Sequence, residues 1–364
     1  MNAVAVYIHT PFCPSKCGYC DFNSYAMSGQ IVDETVAATI KEIRSSPWSG
    51  RPAKTIFFGG GTPTFLSADQ LHLILDAVIS THPPIEGCEI SSEANPGTVD
   101  ASKFKSMRQS GFNRISLGAQ SFVPEELTRL GRVHGPTEIG RAVLAARDAG
   151  FTNVNIDLMF ALPGQSLRVW EQNLEAALSL KTDHLSLYCL TIEPNTRFYK
   201  LNLKGMLDLP DDEQQVSMYE MACAMTAGAG LNHYEISNFA KPNMQSQHNL
   251  CYWRCEEYLG YGPGAVGRVG DTRYTNLKHP SRYVSAVSNG EKLWCEEESL
   301  DEATLRLERI MLGIRLEEGL GTGCLNLDSI HGLEAKGWVE RRTDRIRLTP
   351  EGRHFCSEVA LALA

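Results

Sequence analysis

The strongest constraint on the fold is a repeated alternation of strand and helix patterns through the first two-thirds of the chain. Six apolar, β-branched runs predict strands: AVAVYIHT, KTIFFGG, CEISSEAN, NRISLGAQ, NVNIDLMF and HLSLYCLTI. Amphipathic stretches between them predict helices, and Ser67, Thr137 and Ser166 are the expected N-caps of three of these. Repeated β–α units indicate a parallel sheet with helices outside it. Six units are too few for a closed eight-stranded barrel, so the prediction is an α/β fold with an incomplete parallel (β/α)6 barrel.

Polar and glycine residues follow or end five consecutive predicted strands. Cys13 follows the first strand and residues 59–62 the second, Glu93 ends the third, Gln120 ends the fourth, and Asp157 lies in the fifth. In a barrel of parallel strands these ends meet on one face, which carries the chemistry. The sequence therefore predicts a functional site at the carboxyl ends of the strands.

The pattern changes after about residue 236. The segment SNFAKPNMQSQHNLCYWRCEEYLGYGPGAVG is rich in turn formers and aromatics, which predicts a long functional loop or a small irregular unit. Residues 280–364 are expected to be mainly helical, with a hairpin at WVERRTDRIRLTPEG that indicates a winged-helix-like module. The predicted domains are a barrel core at 1–235 and a C-terminal domain at 236–364.

Charge and hydropathy exclude several classes of protein. The net charge of −9 argues against a nucleic-acid-binding surface, which is normally basic. No run approaches the roughly 18 apolar residues of a membrane helix, and the N-terminus lacks the basic region of a signal peptide. We therefore expect a cytoplasmic protein with no nucleic-acid partner and no transmembrane segment, while contact with a membrane surface stays open.

Three of the eleven cysteines form a tight cluster, Cys13, Cys17 and Cys20, in HTPFCPSKCGYCDF. Thiolates at this spacing can hold three irons of a [4Fe–4S] cubane and leave the fourth iron open to a ligand, since such clusters normally take four cysteines. Zinc is the alternative, but structural zinc sites usually pair two short motifs, and only the looser Cys251 and Cys255 could supply the second. The other cysteines are expected to be small buried side chains: Cys88, Cys189, Cys223, Cys295, Cys324 and Cys356.

The cysteine motif and the glycine run GGGTPT (residues 59–64), in this order, resemble the signatures of the radical S-adenosylmethionine (SAM) superfamily. Over most of the chain, YIHTPFCPSKCGYCDF, FFGGGTPT, EANPGT, RISLGAQSF, LGRVH and NIDLMFALPGQ resemble the oxygen-independent coproporphyrinogen III oxidase group. The resemblance implies that the cluster reduces SAM by one electron, which cleaves it to methionine and a 5′-deoxyadenosyl radical. It places the SAM contacts on eight residues: Tyr7, Gly60, Gly61, Thr62, Glu93, Gln120, Arg132 and Asp157.

The chemistry of several of these residues suits SAM. Glu93 and Asp157 could accept ribose hydroxyls, as acidic residues do in dinucleotide sites. Arg132 could pair with the SAM carboxylate. The alternative is that Glu93, Gln120 and Asp157 only hydrogen-bond loop backbones, and the sequence does not decide between the two.

Two departures from the oxidase group resemble a sister family, the HemW-type haem chaperones, which bind haem and pass it to haemoproteins. Phe22 stands where the oxidase group has a fourth cysteine, and only twelve residues precede Cys13. The segment HNLCYW matches that family's HNxxYW motif, which implies haem contacts at His248, Asn249, Tyr252 and Trp253. Cys251 or Cys255 could be the iron ligand instead, or the motif could simply pin the loop to the barrel mouth and shield the cluster.

Three hypotheses follow. The leading one is a haem-binding transfer protein of porphyrin metabolism that lacks coproporphyrinogen oxidase activity. The second is a true radical SAM oxidase that decarboxylates coproporphyrinogen III, and the third is a non-catalytic regulatory or docking protein. The first implies haem, recipient haemoproteins and an electron donor to the cluster as partners, and it leaves room for a homodimer.

Overall fold

The computed structural model describes residues 2–364, apart from the side chain of Cys324. Six strands pair side by side in chain order, and every neighbouring pair is parallel. They are β1 (Val4–Thr10), β2 (Ala53–Gly60), β3 (Pro84–Ala94), β4 (Arg114–Gln120), β5 (Asn153–Phe160) and β6 (His184–Cys189). The predicted incomplete parallel (β/α)6 barrel is thereby confirmed.

Helices connect these strands and pack their apolar faces on the sheet. They are α1 (Gln30–Arg44), α2 (Ala68–Thr81), α3 (Ala101–Ser110), α4 (Pro124–Leu130), α5 (Pro136–Asp148) and α6 (Leu167–Ser179). The core between the two layers is continuous and includes the fully buried Ile8, Phe58, Ile115 and Trp170. Burying such side chains is the main favourable term that holds the helices to the barrel.

The predicted helix caps are confirmed at two positions and wrong at the third. Ser67 and Ser166 accept hydrogen bonds from backbone N–H groups in the first turns of α2 and α6. Thr137, however, lies inside α5, whose N-cap is Gly135. Pro136 occupies the first helical position, where its fixed φ favours the helix and its missing N–H costs nothing. The helix therefore begins two residues earlier than it would with Thr137 as the N-cap.

The sheet continues beyond the six-stranded core on both sides. The elements that follow β6 are α7 (Arg197–Asn202), α8 (Asp212–Gly228), β7 (Asn232–His233), β8 (Asn238–Ala240), α9 (Gln247–Trp253), β9 (Tyr258–Tyr261), β10 (Val266–Val269), β11 (Thr272–Asn276), α10 (Pro280–Asn289) and β12 (Trp294–Ser299). Strand β8 pairs antiparallel with β6, and β9 pairs parallel with β1. The resulting order is β12-β11-β10-β9-β1-β2-β3-β4-β5-β6-β8-β7.

The segment after residue 236 is more regular than predicted. The expected loop contains β8, α9 and β9, and the HNxxYW motif lies on α9. The start of α9 is held from the barrel, because the Glu89 carboxylate accepts the N–H groups of Gln247 and His248. A helix this short depends on such tertiary support. Strands from both sides of residue 236 pair in one sheet, and the division into domains there stays a prediction.

The C-terminal part forms a separate small core. Its elements are α11 (Glu302–Gly313), β13 (Leu320–Gly321), α12 (Leu327–Ala335), β14 (Val339–Arg342), β15 (Arg345–Leu348) and α13 (Cys356–Leu363). The strands form a three-stranded sheet in the order β13-β15-β14. Buried Ile310, Ile330, Ile346 and Val359 join the helices to this sheet. The order helix, strand, helix, hairpin agrees with the predicted winged-helix-like module.

The cysteines outside the N-terminal motif are less uniformly buried than predicted. Cys88 is buried and Cys223 and Cys356 are half-buried, but Cys189 and Cys295 are exposed. Cys189 is the last residue of β6, where the strand leaves the sheet, and Cys295 lies on β12, an edge strand with one open face. The side chain of Cys324 lies outside the described residues. None of the helices that the structure describes is long and apolar enough to span a bilayer.

Candidate cofactor site in the barrel

A cavity of about 530 Å³ runs into the barrel from the carboxyl ends of the strands. All three cysteines of the N-terminal motif line it. So do all eight predicted SAM contacts: Tyr7, Gly60, Gly61, Thr62, Glu93, Gln120, Arg132 and Asp157. Residues that are far apart in the chain are thus brought to one site, as expected for parallel strands that end on one face.

The cysteine loop after β1 is held from three sides by backbone hydrogen bonds. The Cys13 N–H donates to the Tyr25 carbonyl (3.0 Å), and the Gly18 N–H donates to the Leu130 carbonyl (3.2 Å). The Gly18 carbonyl in turn accepts the N–H of Phe198, at the start of α7 (2.9 Å). The loop therefore has a defined shape around the cavity before any cofactor binds.

Two side chains donate hydrogen bonds to the cysteine sulfurs. Thr62 Oγ1 donates to Cys13 Sγ (3.4 Å), and Arg132 Nη1 donates to Cys17 Sγ (3.6 Å). Burial raises the pKa of the Cys13 thiol, and the Thr62 hydrogen bond opposes this rise. Donors directed at sulfur suit thiolates that ligate an iron–sulfur cluster. No three His, Cys, Asp or Glu side chains in the described part of the chain are close enough to share one metal ion, whereas thiolates on a cubane ligate different irons.

The glycine run packs against the end of β1 so closely that side chains cannot be accommodated. Gly60 has φ 107°, and a Cβ there would lie 2.5 Å from His9 Cε1. A Cβ at Gly61 would lie 2.7 Å from the Phe12 carbonyl oxygen. The Gly61 N–H donates to the Thr10 carbonyl (2.8 Å) and the Thr62 N–H to the Phe12 carbonyl (2.7 Å). The glycines therefore set the approach of β2 to the cysteine loop, as well as leaving backbone open to the cavity.

Two carboxylates face the middle of the cavity. Burial and the nearby Asp157 carboxylate raise the pKa of Glu93 to about 8, and Glu93 accepts the Gly60 N–H (3.2 Å). Asp157 accepts hydrogen bonds from Ser116 Oγ (3.2 Å) and Asn155 Nδ2 (2.7 Å), and burial raises its pKa. One Glu93 oxygen thus hydrogen-bonds to the backbone at the end of β2, which is close to what the alternative interpretation predicted, whereas Asp157 hydrogen-bonds to side chains.

Arg132 connects the cysteine loop to the fourth strand. Its Nη2 donates to the Gly118 carbonyl (2.6 Å), and its Nη1 donates to Cys17. Its buried Nε has no hydrogen-bond partner among the residues that the structure describes. A fixed guanidinium next to the cluster loop is suited to hold a carboxylate.

The HNxxYW motif borders this cavity at the end of the barrel opposite the cysteine loop. Both ring nitrogens of His248 are engaged, Nδ1 with Thr55 Oγ1 (2.8 Å) and Nε2 with Tyr252 Oη (2.9 Å). The ring stacks on Phe57 with centroids 4.9 Å apart, and burial lowers the pKa of His248 to about 3. The imidazole is therefore neutral and fully hydrogen-bonded.

The other motif residues divide between two environments. Asn249 and Tyr252 line the cavity with His248. Trp253 faces the C-terminal part instead, where the Arg315 guanidinium lies 4.7 Å from its ring centroid. Cys251 is buried and its Sγ donates to the Gln247 carbonyl (3.1 Å). A role of His248 or Cys251 as haem ligand would require one of these hydrogen bonds to break.

Several lining residues were missed at the level of sequence. Arg114, Ser116, Asn155 and Ser186 line the barrel interior, and Tyr188 lies at its mouth. A signal existed, because polar residues recur at every second position in RISLGAQ and NVNID. Alternate residues of a strand face the same side of a sheet, so this alternation marks a polar barrel interior.

Comparison with known proteins identifies the family. The family model of the radical SAM superfamily matches residues 7–177. The haem chaperone HemW of Bacillus subtilis is 38% identical over 98% of this chain and 97% of its own length, and HemW of Escherichia coli is 43% identical over 77% of this chain and 75% of its own. The solved structure of coproporphyrinogen III oxidase (HemN) from Escherichia coli is similar with a TM-score of 0.85 and 23% identity, covering 100% of this chain and 90% of that one, which shows a shared fold. The chain thus belongs to the radical SAM superfamily and, within it, to the HemW family.

Proposed function

We propose that this protein is a cytoplasmic haem chaperone that holds a [4Fe–4S] cluster and SAM in its barrel and transfers haem to recipient haemoproteins. It is proposed to lack coproporphyrinogen oxidase activity. The observation that carries the proposal is the meeting of Cys13, Cys17 and Cys20 with Arg132 and the paired carboxylates around one cavity, in a chain similar to HemW over nearly its full length.

The cluster is proposed to bind Cys13, Cys17 and Cys20. When bound, it supplies an open iron for SAM and one electron for the cleavage of SAM. Arg132 and the backbone at Gly60 and Gly61 orient the methionine part of SAM. Glu93 and Asp157 accept hydrogen bonds from the ribose hydroxyls of SAM. The remaining residues around SAM are Tyr7, Thr62 and Gln120.

Haem binding is proposed on the basis of family membership. The contacts predicted from the sequence at His248, Asn249, Tyr252 and Trp253 are one candidate position for the haem, and this proposal does not depend on them. Haem transfer requires recipient haemoproteins and, if the cluster is reduced in the cycle, a separate electron donor. A homodimer is part of the same hypothesis and can be read from the mass of the reconstituted protein in solution.

Anaerobic reconstitution tests the cluster site. Wild-type protein should bind about four irons per chain. The Cys17→Ala variant should lose the cluster, whereas Cys88→Ala, a matched replacement of a buried cysteine on β3, should keep it. A full cluster in a variant that lacks all three motif cysteines would reject the site.

A parallel incubation distinguishes the chaperone from an oxidase. The reduced, reconstituted protein is given SAM with coproporphyrinogen III in one sample and haem in another. We expect haem binding and transfer to an apo-haemoprotein, with no decarboxylation. Formation of protoporphyrinogen would reject the proposed lack of oxidase activity.

A further inference from the structure

Exposed apolar side chains surround the mouth of the barrel cavity. Phe22, in the cysteine loop, is 64% exposed, and Val133, next to Arg132, is 63% exposed. Tyr188, near the end of β6, is 40% exposed. A single exposed apolar residue needs no explanation, but all three of these line one cavity at its opening. Together they offer an apolar and aromatic rim, which is typical of a ligand-binding surface.

The HNxxYW motif lies at the opposite end of the same cavity. His248 is hydrogen-bonded to Thr55 on β2. Thr55 precedes Gly60 by five residues, so the two residues lie about 16 Å apart along the strand at the usual rise per residue. Gly60 and Glu93, both in the proposed SAM set, line the cavity between the rim and His248. A haem that reached His248 through the mouth would have to displace SAM and break a hydrogen bond of the imidazole.

Given the proposed haem chaperone function, on which this inference rests, we propose that haem binds at the cavity mouth, with one porphyrin face against Phe22, Val133 and Tyr188. Haem and SAM then occupy the cavity at different depths. Phe22, which replaces the fourth cysteine of the oxidase group, contributes aromatic surface for the porphyrin.

The polar groups at the rim differ in what they can offer the rest of the haem molecule. The Tyr188 ring supplies contact area only, because its phenol lies near the Asp157 carboxylate inside the barrel, and the Cys189 thiol donates to Gln215 Oε1 on α8 (3.4 Å). Lys16 lies in the cysteine loop, and Arg197 begins α7, which is hydrogen-bonded to that loop. The Lys16 ammonium already donates to the Phe22 and Ser24 carbonyls (2.8 and 3.1 Å). Exposed Arg197 is therefore the cation that can pair with a propionate, although the rim also carries the acids Asp21 and Glu193.

Haem titration of the reconstituted protein, followed by the Soret band, tests the site. Loss of a large apolar contact should weaken binding by the Phe22→Ala/Val133→Ala double variant about tenfold or more. Leu144→Ala, a matched control 64% exposed on α5, should stay within about twofold of wild type. Saturating SAM should leave the wild-type affinity unchanged, and His248→Gln should bind haem as wild type does.

Two results would overturn the mouth site. One is competition between SAM and haem together with loss of binding in His248→Gln, which would place haem in the depth of the barrel. The other is unchanged affinity in the double variant. Full iron content of each variant shows that it has folded. A wild-type protein that binds no haem would instead reject the chaperone function itself.

Discussion

The replacement Gly61→Ala tests whether the glycine run holds the cysteine loop in place. The new Cβ would lie 2.7 Å from the Phe12 carbonyl oxygen and 2.9 Å from the Thr10 carbonyl oxygen. Both are backbone atoms, so the clash cannot be relieved by a change of rotamer. Relief requires the ends of β1 and β2 to separate, which strains the hydrogen bonds from Gly61 to Thr10 and from Thr62 to Phe12.

The expected loss of stability has two parts. Overpacking of a tight site costs about 1–3 kcal/mol, and weakening one of the two backbone hydrogen bonds costs about 1 kcal/mol. The free energy of unfolding should therefore fall by about 2–4 kcal/mol. Because Phe12 directly precedes Cys13, the same shift should lower the iron content after reconstitution.

Urea unfolding and iron analysis of the variant measure both effects. Gly332→Ala is the matched control, because Gly332 lies on α12 and a Cβ there would meet no atom of the described residues within 4 Å. Alanine is the better helix former, so this control should be stabilised by up to about 1 kcal/mol. A Gly61→Ala protein with wild-type stability and full iron content would refute the reasoning.

Three further predictions concern single side chains. Burial and Asp157 raise the pKa of Glu93 to about 8, so its carboxyl group is largely protonated at neutral pH. The affinity for SAM should therefore rise between pH 7 and 9 as Glu93 ionises. Isothermal titration should show this rise in wild type, and an equal rise in Glu93→Gln would contradict it. Ser166→Ala should lower the free energy of unfolding by about 1 kcal/mol through loss of an N-cap, whereas Thr137→Ala should change it little, and equal losses would contradict the observed caps. Since the pKa of His248 is lowered to about 3, its ring should stay neutral from pH 5 to 8, and a titrating nitrogen resonance in that range would be incompatible with the two hydrogen bonds.

Local patterns were sufficient for the barrel strands and most helices. Alternation and apolar runs predicted β1 to β6 because most residues of each strand are buried. The meeting of Glu93, Gln120 and Asp157 at one site followed from the topology, since parallel strands bring their carboxyl ends together. The cysteine motif could equally be recognised from the sequence, because its three cysteines lie on one short loop.

Local patterns failed where distant residues decide the conformation. Helix α9 was predicted as loop, since its first N–H groups find their acceptor on Glu89 of β3, far away in the chain. The exposure of Cys189 and Cys295 was missed for a related reason. A cysteine at the end of a central strand or on an edge strand has the same sequence signature as one in the core.

The sequence by itself determined which groups the protein carries and that they meet at the carboxyl face of a parallel barrel, because strand period and motif spacing are local properties. Only the tertiary structure decided that His248 lies deep in the barrel with both nitrogens bonded, and that Phe22, Val133 and Tyr188 share the mouth. The physical reason is distance along the chain. His248 and Thr55 are 193 positions apart, and no local pattern records which buried donor will find which acceptor across the folded barrel.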